Sequence, residues 1–211
     1  MNKIVLFALS TLVTIAAYSQ EEDIGKIDAQ RPTLTESYSI IVPNMLQFEN
    51  GVDYFEKSHT YSYGTFARGS VTDKIELRAF TDYSNLNTVG AKFMVMEPVG
   101  SVLGIGASFI YNRYLRANYD DFRMALTKEF GQIFTTYNFG YNGFIYNIIL
   151  IGAPLGDQVN YFVEYYNDPI TNRIHTGFTW IPQKDIQLDI NGGRINTDDW
   201  YAGIGVSFRL R

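Results

Sequence analysis

From Met45 onwards the chain alternates apolar and polar residues, in blocks of about ten residues. In the first block Leu46 and Phe48 share one face, whereas Gln47 and Glu49 share the other. Successive side chains of a β-strand point to opposite faces, so a period of two predicts strands that are apolar on one face only. The pattern therefore predicts an all-β protein.

Turn-forming residues bound the blocks and set the number of strands. There are about 12 such blocks, and this even number is typical of closed antiparallel barrels. We therefore expect an antiparallel barrel of about 12 strands. With the N-terminus in the periplasm, the tight turns such as residues 72–73 and 154–157 are expected on the periplasmic side, and links such as residues 113–118 and 167–172 outside. The predicted strands start near Met45, Tyr61, Lys74, Thr88, Val102, Asp120, Gln132, Phe144, Gln158, Arg173, Ile186 and Asp199.

The residues before the first block divide into two parts. Lys3 precedes an apolar run that is too short to cross a bilayer, and Ala17-Tyr18-Ser19 predicts cleavage before Gln20. Residues 1–19 are therefore expected to be a signal peptide. Residues 20–44 show no sustained period and are expected to form an extended segment that is periplasmic or enters the lumen, and residues 45–211 the barrel.

Composition excludes several classes of protein. Apart from the leader, no apolar run approaches the length of a membrane helix, although 16% of the residues are aromatic. The formal net charge of −5 disfavours a nucleic-acid partner. The absence of cysteine excludes a disulfide framework and a lipid anchor on a cysteine behind the leader. A soluble β fold and a membrane barrel remain.

The leader, the aromatic residues near strand ends and the last strand favour the membrane barrel. In a soluble barrel the apolar face would form the core, and no aromatic rings would be needed at two interfaces. The last strand carries Gly205, Phe208 and Leu210 in the Gly-x-x-apolar-x-apolar ending that outer-membrane assembly machinery recognises. We therefore expect a protein of the bacterial outer membrane, whose partners are the lipid bilayer and that machinery.

The charged residues of the alternating blocks are then predicted to line the lumen. An Arg or Lys that faces lipid at the midplane costs about 2–4 kcal/mol, so the polar face must point inwards. Both signs occur, and the charges could line a wet pore or neutralise one another in a packed interior; about twelve strands leave both open. The predicted lumen-lining residues are Glu49, Asp53, Arg68, Glu76, Arg78, Asp82, Lys92, Asp121, Arg123, Glu129, Glu164, His175, Asp189 and Arg209.

No motif predicts an enzyme, a cofactor or a metal site. His59 and His175 are the only histidines, and neither stands in a recognisable nucleophile motif or near a second zinc ligand. The Gly104-x-Gly106 and Gly203-x-Gly205 pairs are not followed by a predicted helix, so we interpret them as points of strand curvature rather than phosphate loops.

Both ends of the chain resemble a known family. The stretches Arg31-Pro32-Thr33-Leu34-Thr35-Glu36-Ser37, Val42-Pro43 and Leu46-Gln47-Phe48-Glu49-Asn50-Gly51 resemble the opening of the MetA-pathway phenol-degradation family of outer-membrane proteins. Residues 187–193 and 201–209 resemble its last hairpin. The resemblance implies a barrel that moves small, hydrophobic or aromatic compounds. Asn44 replaces the glycine expected after Val-Pro, and Asn tolerates the same left-handed turn.

Two functional classes remain open. The first is a channel or transporter whose charged lumen selects a small-molecule solute. The second is a structural or interaction barrel whose charge-packed interior does not conduct. The short external loops weaken a receptor function, and the pairing of charges weakens a wide pore. We favour the channel or transporter.

Overall fold

A computed structural model describes residues 25–84, 87–99 and 101–211. The predicted signal peptide lies outside these ranges. Among the described residues, no helix has the length and apolar character needed to cross a membrane. The described chain forms the strands β1 (Leu46–Phe55), β2 (Thr60–Ser70), β3 (Ile75–Thr81), β4 (Asn87–Met96), β5 (Ile105–Tyr114), β6 (Tyr119–Phe130), β7 (Ile133–Tyr141), β8 (Ile145–Pro154), β9 (Val159–Asn167), β10 (Asn172–Gln183), β11 (Ile186–Ile195) and β12 (Asp199–Leu210).

The start of every strand except β5 lies within one residue of its predicted position. Strand β5 begins at Ile105 rather than near Val102. The reason is a turn in which the Gly104 amide donates to the Ser101 carbonyl over 3.0 Å and Gly104 has a φ of 62°. The left-handed backbone interrupts the alternation, which the side chains of Val102 and Leu103 alone do not reveal.

All strands are antiparallel to their neighbours, and β1 pairs with β12 to close the barrel. The closing ladder runs from Leu46↔Leu210 to Phe55↔Tyr201. Closure gives every strand edge a partner, as a hydrocarbon environment requires. We call the rim where β1 begins and β12 ends the near end, and the rim with the β1–β2 loop (residues 56–59) the far end.

The outer surface of the barrel carries a band of exposed apolar side chains. Leu77, Ile151 and Ile204 are 54%, 53% and 59% exposed. Exposed aromatic rings flank this band, with Trp200 towards the far end and Trp180 towards the near end. An apolar band between aromatic girdles is the outer surface of a transmembrane barrel, so the predicted fold class is confirmed.

Residues 25–45, the N-terminal segment, lie inside the barrel. The segment enters at the near end, where the Ile27 amide donates to the Lys184 carbonyl over 2.7 Å. It then folds back on itself, so that Ser39 on its returning part donates a hydrogen bond to the Asp28 carboxylate on its first part. Asn44 turns the chain into β1 with a φ of 62°. This is the left-handed conformation expected from the glycine that Asn44 replaces.

Candidate functional site

The interior of the barrel holds a cluster of buried charges on β1 to β4. Arg68 donates to Glu49 over 3.0 Å and to Glu76 over 2.9 Å, and all three side chains are fully buried. The alternation of the strands places them there, since Gln47, Glu49, Arg68 and Glu76 fall on inward positions of the register.

The N-terminal segment completes this cluster. The Glu36 carboxylate accepts a hydrogen bond from Arg78 over 2.7 Å and lies 3.5 Å from the Lys92 ammonium. Arg78 and Lys92 are both buried, and without Glu36 the wall would hold more positive than negative charge at this level. Buried charges cost little only when paired, so the segment supplies a missing partner. The waist cluster is Glu36, Glu49, Arg68, Glu76, Arg78 and Lys92.

Arg31 is the segment's other charge contact. Its guanidinium lies 3.4 Å from Asp189 and 3.7 Å from Asp53, and it donates to the Ile204 carbonyl over 3.1 Å. Gly51 and Gly205 make room for it, because a Cβ built on either residue would fall within 2.2 Å of Arg31 atoms. Glycine on these inward positions is therefore required by close packing of the segment, rather than by strand curvature alone.

Inward-facing side chains also bind the backbone of the segment. The Glu164 carboxylate accepts from the Leu34 and Thr35 amides, the latter over 2.7 Å. Asn138 contacts Glu36 twice, accepting from its amide over 2.7 Å and donating to its carbonyl over 2.8 Å. Such contacts fix the main chain, and the ion pairs of Arg31 and Glu36 add to them.

The other predicted lumen residues form smaller groups. Arg123 donates to Tyr146 over 2.8 Å and to the Leu34 carbonyl over 2.7 Å, and its guanidinium lies 3.7 Å from Asp121. His175 lies 3.2 Å from Glu164 and 3.1 Å from Asn191. These contacts show His175 as a buried, hydrogen-bonded residue of the wall.

Three predicted residues lie at the rims. Arg209 is held at the near end by Asp185 and by the Gly25 carbonyl. Glu129 is exposed at the near end of β6. Asp82 differs from the prediction, because β3 ends at Thr81 and the Asp82 carboxylate accepts from the Ser84 amide and hydroxyl in the following loop.

The final strand divides the residues of the predicted assembly signal between its faces. Phe208 points outwards and stacks on Phe48 with ring centroids 5.5 Å apart, and Leu210 is half exposed. Gly205 points inwards, beside Arg31. The recognition of this ending by assembly machinery stays a prediction.

Two cavities lie on opposite sides of the segment. A far cavity of about 330 Å³ is lined by far-end residues such as Asn112 and Arg173, and a near cavity of about 490 Å³ by near-end residues such as Gln132 and Gln187. Residues 30–33 line both cavities. Residues 30–33 of the N-terminal segment therefore separate the far half of the lumen from the near half.

Arg31 and Glu36 were not among the predicted site residues. They lie in a segment without a periodic pattern, so the alternation that located the wall charges could not place them. The signal that could have located them is the glycine at inward positions 51, 106 and 205, because a Cβ there would meet Arg31 or, at Gly106, the ring of Tyr38. Small residues facing a lumen indicate that another part of the chain approaches closely.

Solved structures with the same architecture are known. The KdgM porin superposes with a TM-score of 0.60 at 6% sequence identity, covering 77% of this chain and 98% of that one. The fold is porin-like. The NanC porin gives a TM-score of 0.58 at 10% identity, covering 76% and 98% of the two chains, and the Acinetobacter baumannii outer membrane protein Omp33 gives 0.53 at 9% identity, covering 79% and 98%.

At these identities the similarity establishes the fold of bacterial outer-membrane barrels and nothing about solutes. A KdgM porin structure has also been solved in complex with disordered oligogalacturonate, which is a property of that protein. No protein-family model and no curated protein matches the present sequence. The resemblance to the phenol-degradation family therefore stays a prediction, whereas the porin-like barrel is established.

Proposed function

We propose that the protein is a channel for small solutes in the bacterial outer membrane and that the N-terminal segment holds it closed in the conformation described. The observation that carries the proposal is the pair of cavities, about 330 and 490 Å³, that meet the same residues 30–33 from opposite sides. Without the segment they would form one continuous lumen.

Unsatisfied polar atoms support a segment that can move. Within the described ranges, Nε and Nη1 of Arg78 and Nε of Arg31 are buried without a hydrogen-bond partner. Each such atom costs about 1–3 kcal/mol. Release of the segment would hydrate these atoms and so offset part of the cost of breaking the Arg31–Asp189 and Arg78–Glu36 ion pairs.

The second candidate function is a structural or interaction barrel that never conducts. The waist cluster favours it, because its six charges are mutually paired and its Arg68, Glu76 and Lys92 side chains are fully buried. A waist packed in this way would exclude water and ions from that level of the lumen. Whether the protein has any catalytic activity is a separate question, and the expectation that it is not an enzyme stays a prediction.

Planar-bilayer conductance of two purified forms separates the candidates. We expect the full-length protein to be closed for most of the time. A shortened chain lacking residues 25–40 should give long-lived channel steps, because its lumen would have no barrier between the two cavities. A shortened barrel that folds yet gives no channel steps in any recording would refute the channel and favour the structural or interaction barrel.

A reversible cross-link provides the matched control. A Cβ built on Gly106 would lie 2.3 Å from Cγ of Tyr38, so cysteines at these two positions would join the segment to β5. The chain has no cysteine of its own. The oxidised Y38C/G106C protein should stay closed at every voltage, and reduction should restore the brief openings of the wild type.

The far cavity supports a solute with an aromatic or apolar part. Phe66, Phe80 and Tyr114 line it together with Arg123 and Arg173. Rings beside guanidinium groups offer an aromatic molecule both stacking and cation–π contacts. This agrees with the solute class implied by the family resemblance, and the lipid bilayer and assembly machinery remain the proposed partners of the barrel itself.

A further inference from the structure

The waist of the lumen, where residues 31–38 cross, is equipped to recognise a peptide. Most of its contacts go to main-chain atoms. Glu49 accepts from the Arg31 amide over 2.7 Å, and Gln187 donates to the Arg31 carbonyl over 2.9 Å. Further along the segment, Arg123 donates to the Leu34 carbonyl over 2.7 Å.

The pattern continues to the end of this stretch. Asn138 contacts both the amide and the carbonyl of Glu36, as a neighbouring strand would. Ser108 donates to the Ser37 carbonyl, and Thr127 accepts from the Tyr38 amide over 3.2 Å. Side chains from β1, β5, β6, β7, β9 and β11 thus converge on the backbone of one crossing peptide.

Two charge contacts set which peptide fits and in which register. The cation of Arg31 meets Asp53 and Asp189 on β1 and β11, and the anion of Glu36 meets Arg78 and Lys92 on β3 and β4. The acidic and basic contacts belong to different sectors of the wall. A ligand therefore needs a positive group and, five residues further along its own chain, a negative group.

We propose that the waist is a binding site for short peptides that carry a basic residue followed five positions later by an acidic one, and that the N-terminal segment occupies it as an internal ligand. The inference deepens the proposed function by naming a solute class for the waist. Main-chain recognition makes the site tolerant of other side chains, whereas the two charges give it direction.

Binding of synthetic peptides to the shortened chain lacking residues 25–40 tests the proposal. A fluorescent peptide of residues 27–41 should bind the folded barrel in detergent. An unrelated peptide with Arg and Glu at the same spacing should compete with it. A peptide carrying the exchange Arg31→Glu and Glu36→Arg should bind at least ten-fold more weakly, because both charges would face like charges.

Equal affinity for the wild-type and exchanged peptides, or no binding to a folded shortened barrel, would overturn the inference. If the shortened chain does not fold, the full-length chain with both exchanges replaces it. Its own segment is then mispaired, so the wild-type peptide should bind to it and not to the unaltered protein, and failure to bind would again contradict the site.

The conductance and peptide-binding measurements test the channel and the peptide site separately. A shortened barrel that binds the peptide but never conducts would refute the proposed channel and leave the peptide site. One that conducts and ignores all three peptides would refute the peptide site and leave the channel. In a conducting barrel the wild-type peptide should also block the current, and the exchanged peptide should not do so at the same concentration.

Discussion

At the scale of single residues, Arg68 is the side chain on which the interior depends most. It is fully buried and holds the carboxylates of Glu49 and Glu76. Replacing it by methionine would keep most of the volume but leave two buried carboxylates without their main cation. Removing one partner of a buried ion pair costs about 3–5 kcal/mol. We expect Arg68→Met to destabilise the folded barrel by that amount, measured by urea unfolding followed through tryptophan fluorescence.

Lys57 provides the comparison for this substitution. It pairs with Asp198 between two far-end loops, where both side chains are more than half exposed. Exposed pairs contribute little because water screens them. Lys57→Met should leave the unfolding midpoint nearly unchanged, and a loss as large as that of Arg68→Met would show that burial does not determine the difference.

At the scale of the strand, neighbouring residues must face different environments. Phe109 and Ile110 on β5 are both large and apolar, yet Phe109 is 40% exposed on the outer surface and Ile110 is fully buried inside. A fluorophore on Phe109→Cys should be quenched by lipid-attached reagents in reconstituted protein, whereas one on Ile110→Cys should not. Strong quenching at both positions, or at neither, would contradict the register of β5.

The strands were predictable because alternation is a local property. Each block carries its own pattern, so the sequence could place the start of β12 as well as that of β1. The path of the N-terminal segment was not predictable in the same way, since its partners, such as Glu164 and Asn138, are more than one hundred residues away. The wall charges could be assigned to the interior, but their neutralisation by Arg31 and Glu36 depends on that long-range path.

At the scale of the whole molecule, stability follows from closure. Each strand has two partners, so no edge is open to detergent. We expect unheated protein to run as a compact band on a gel containing dodecyl sulfate and to shift only after boiling. Val206, which lies between Asn50 and Leu188 in the β1 and β11 ladders, provides the test of this explanation.

A proline at that position removes a ladder donor in the strand that closes the barrel. The Val206→Pro protein should lose the compact band, and the Val206→Ala protein should keep it. A compact unheated band in both variants would mean that closure through β12 is not what resists the detergent.

The position of the segment also constrains the order of assembly. The segment precedes every strand along the chain, yet the side chains that hold it extend from Glu49 on β1 to Gln187 and Arg209 on the last two strands. It therefore cannot reach its final position until the C-terminal hairpin has formed. The part of the described chain that is synthesised first is the last to be seated, so the barrel must close around its own beginning.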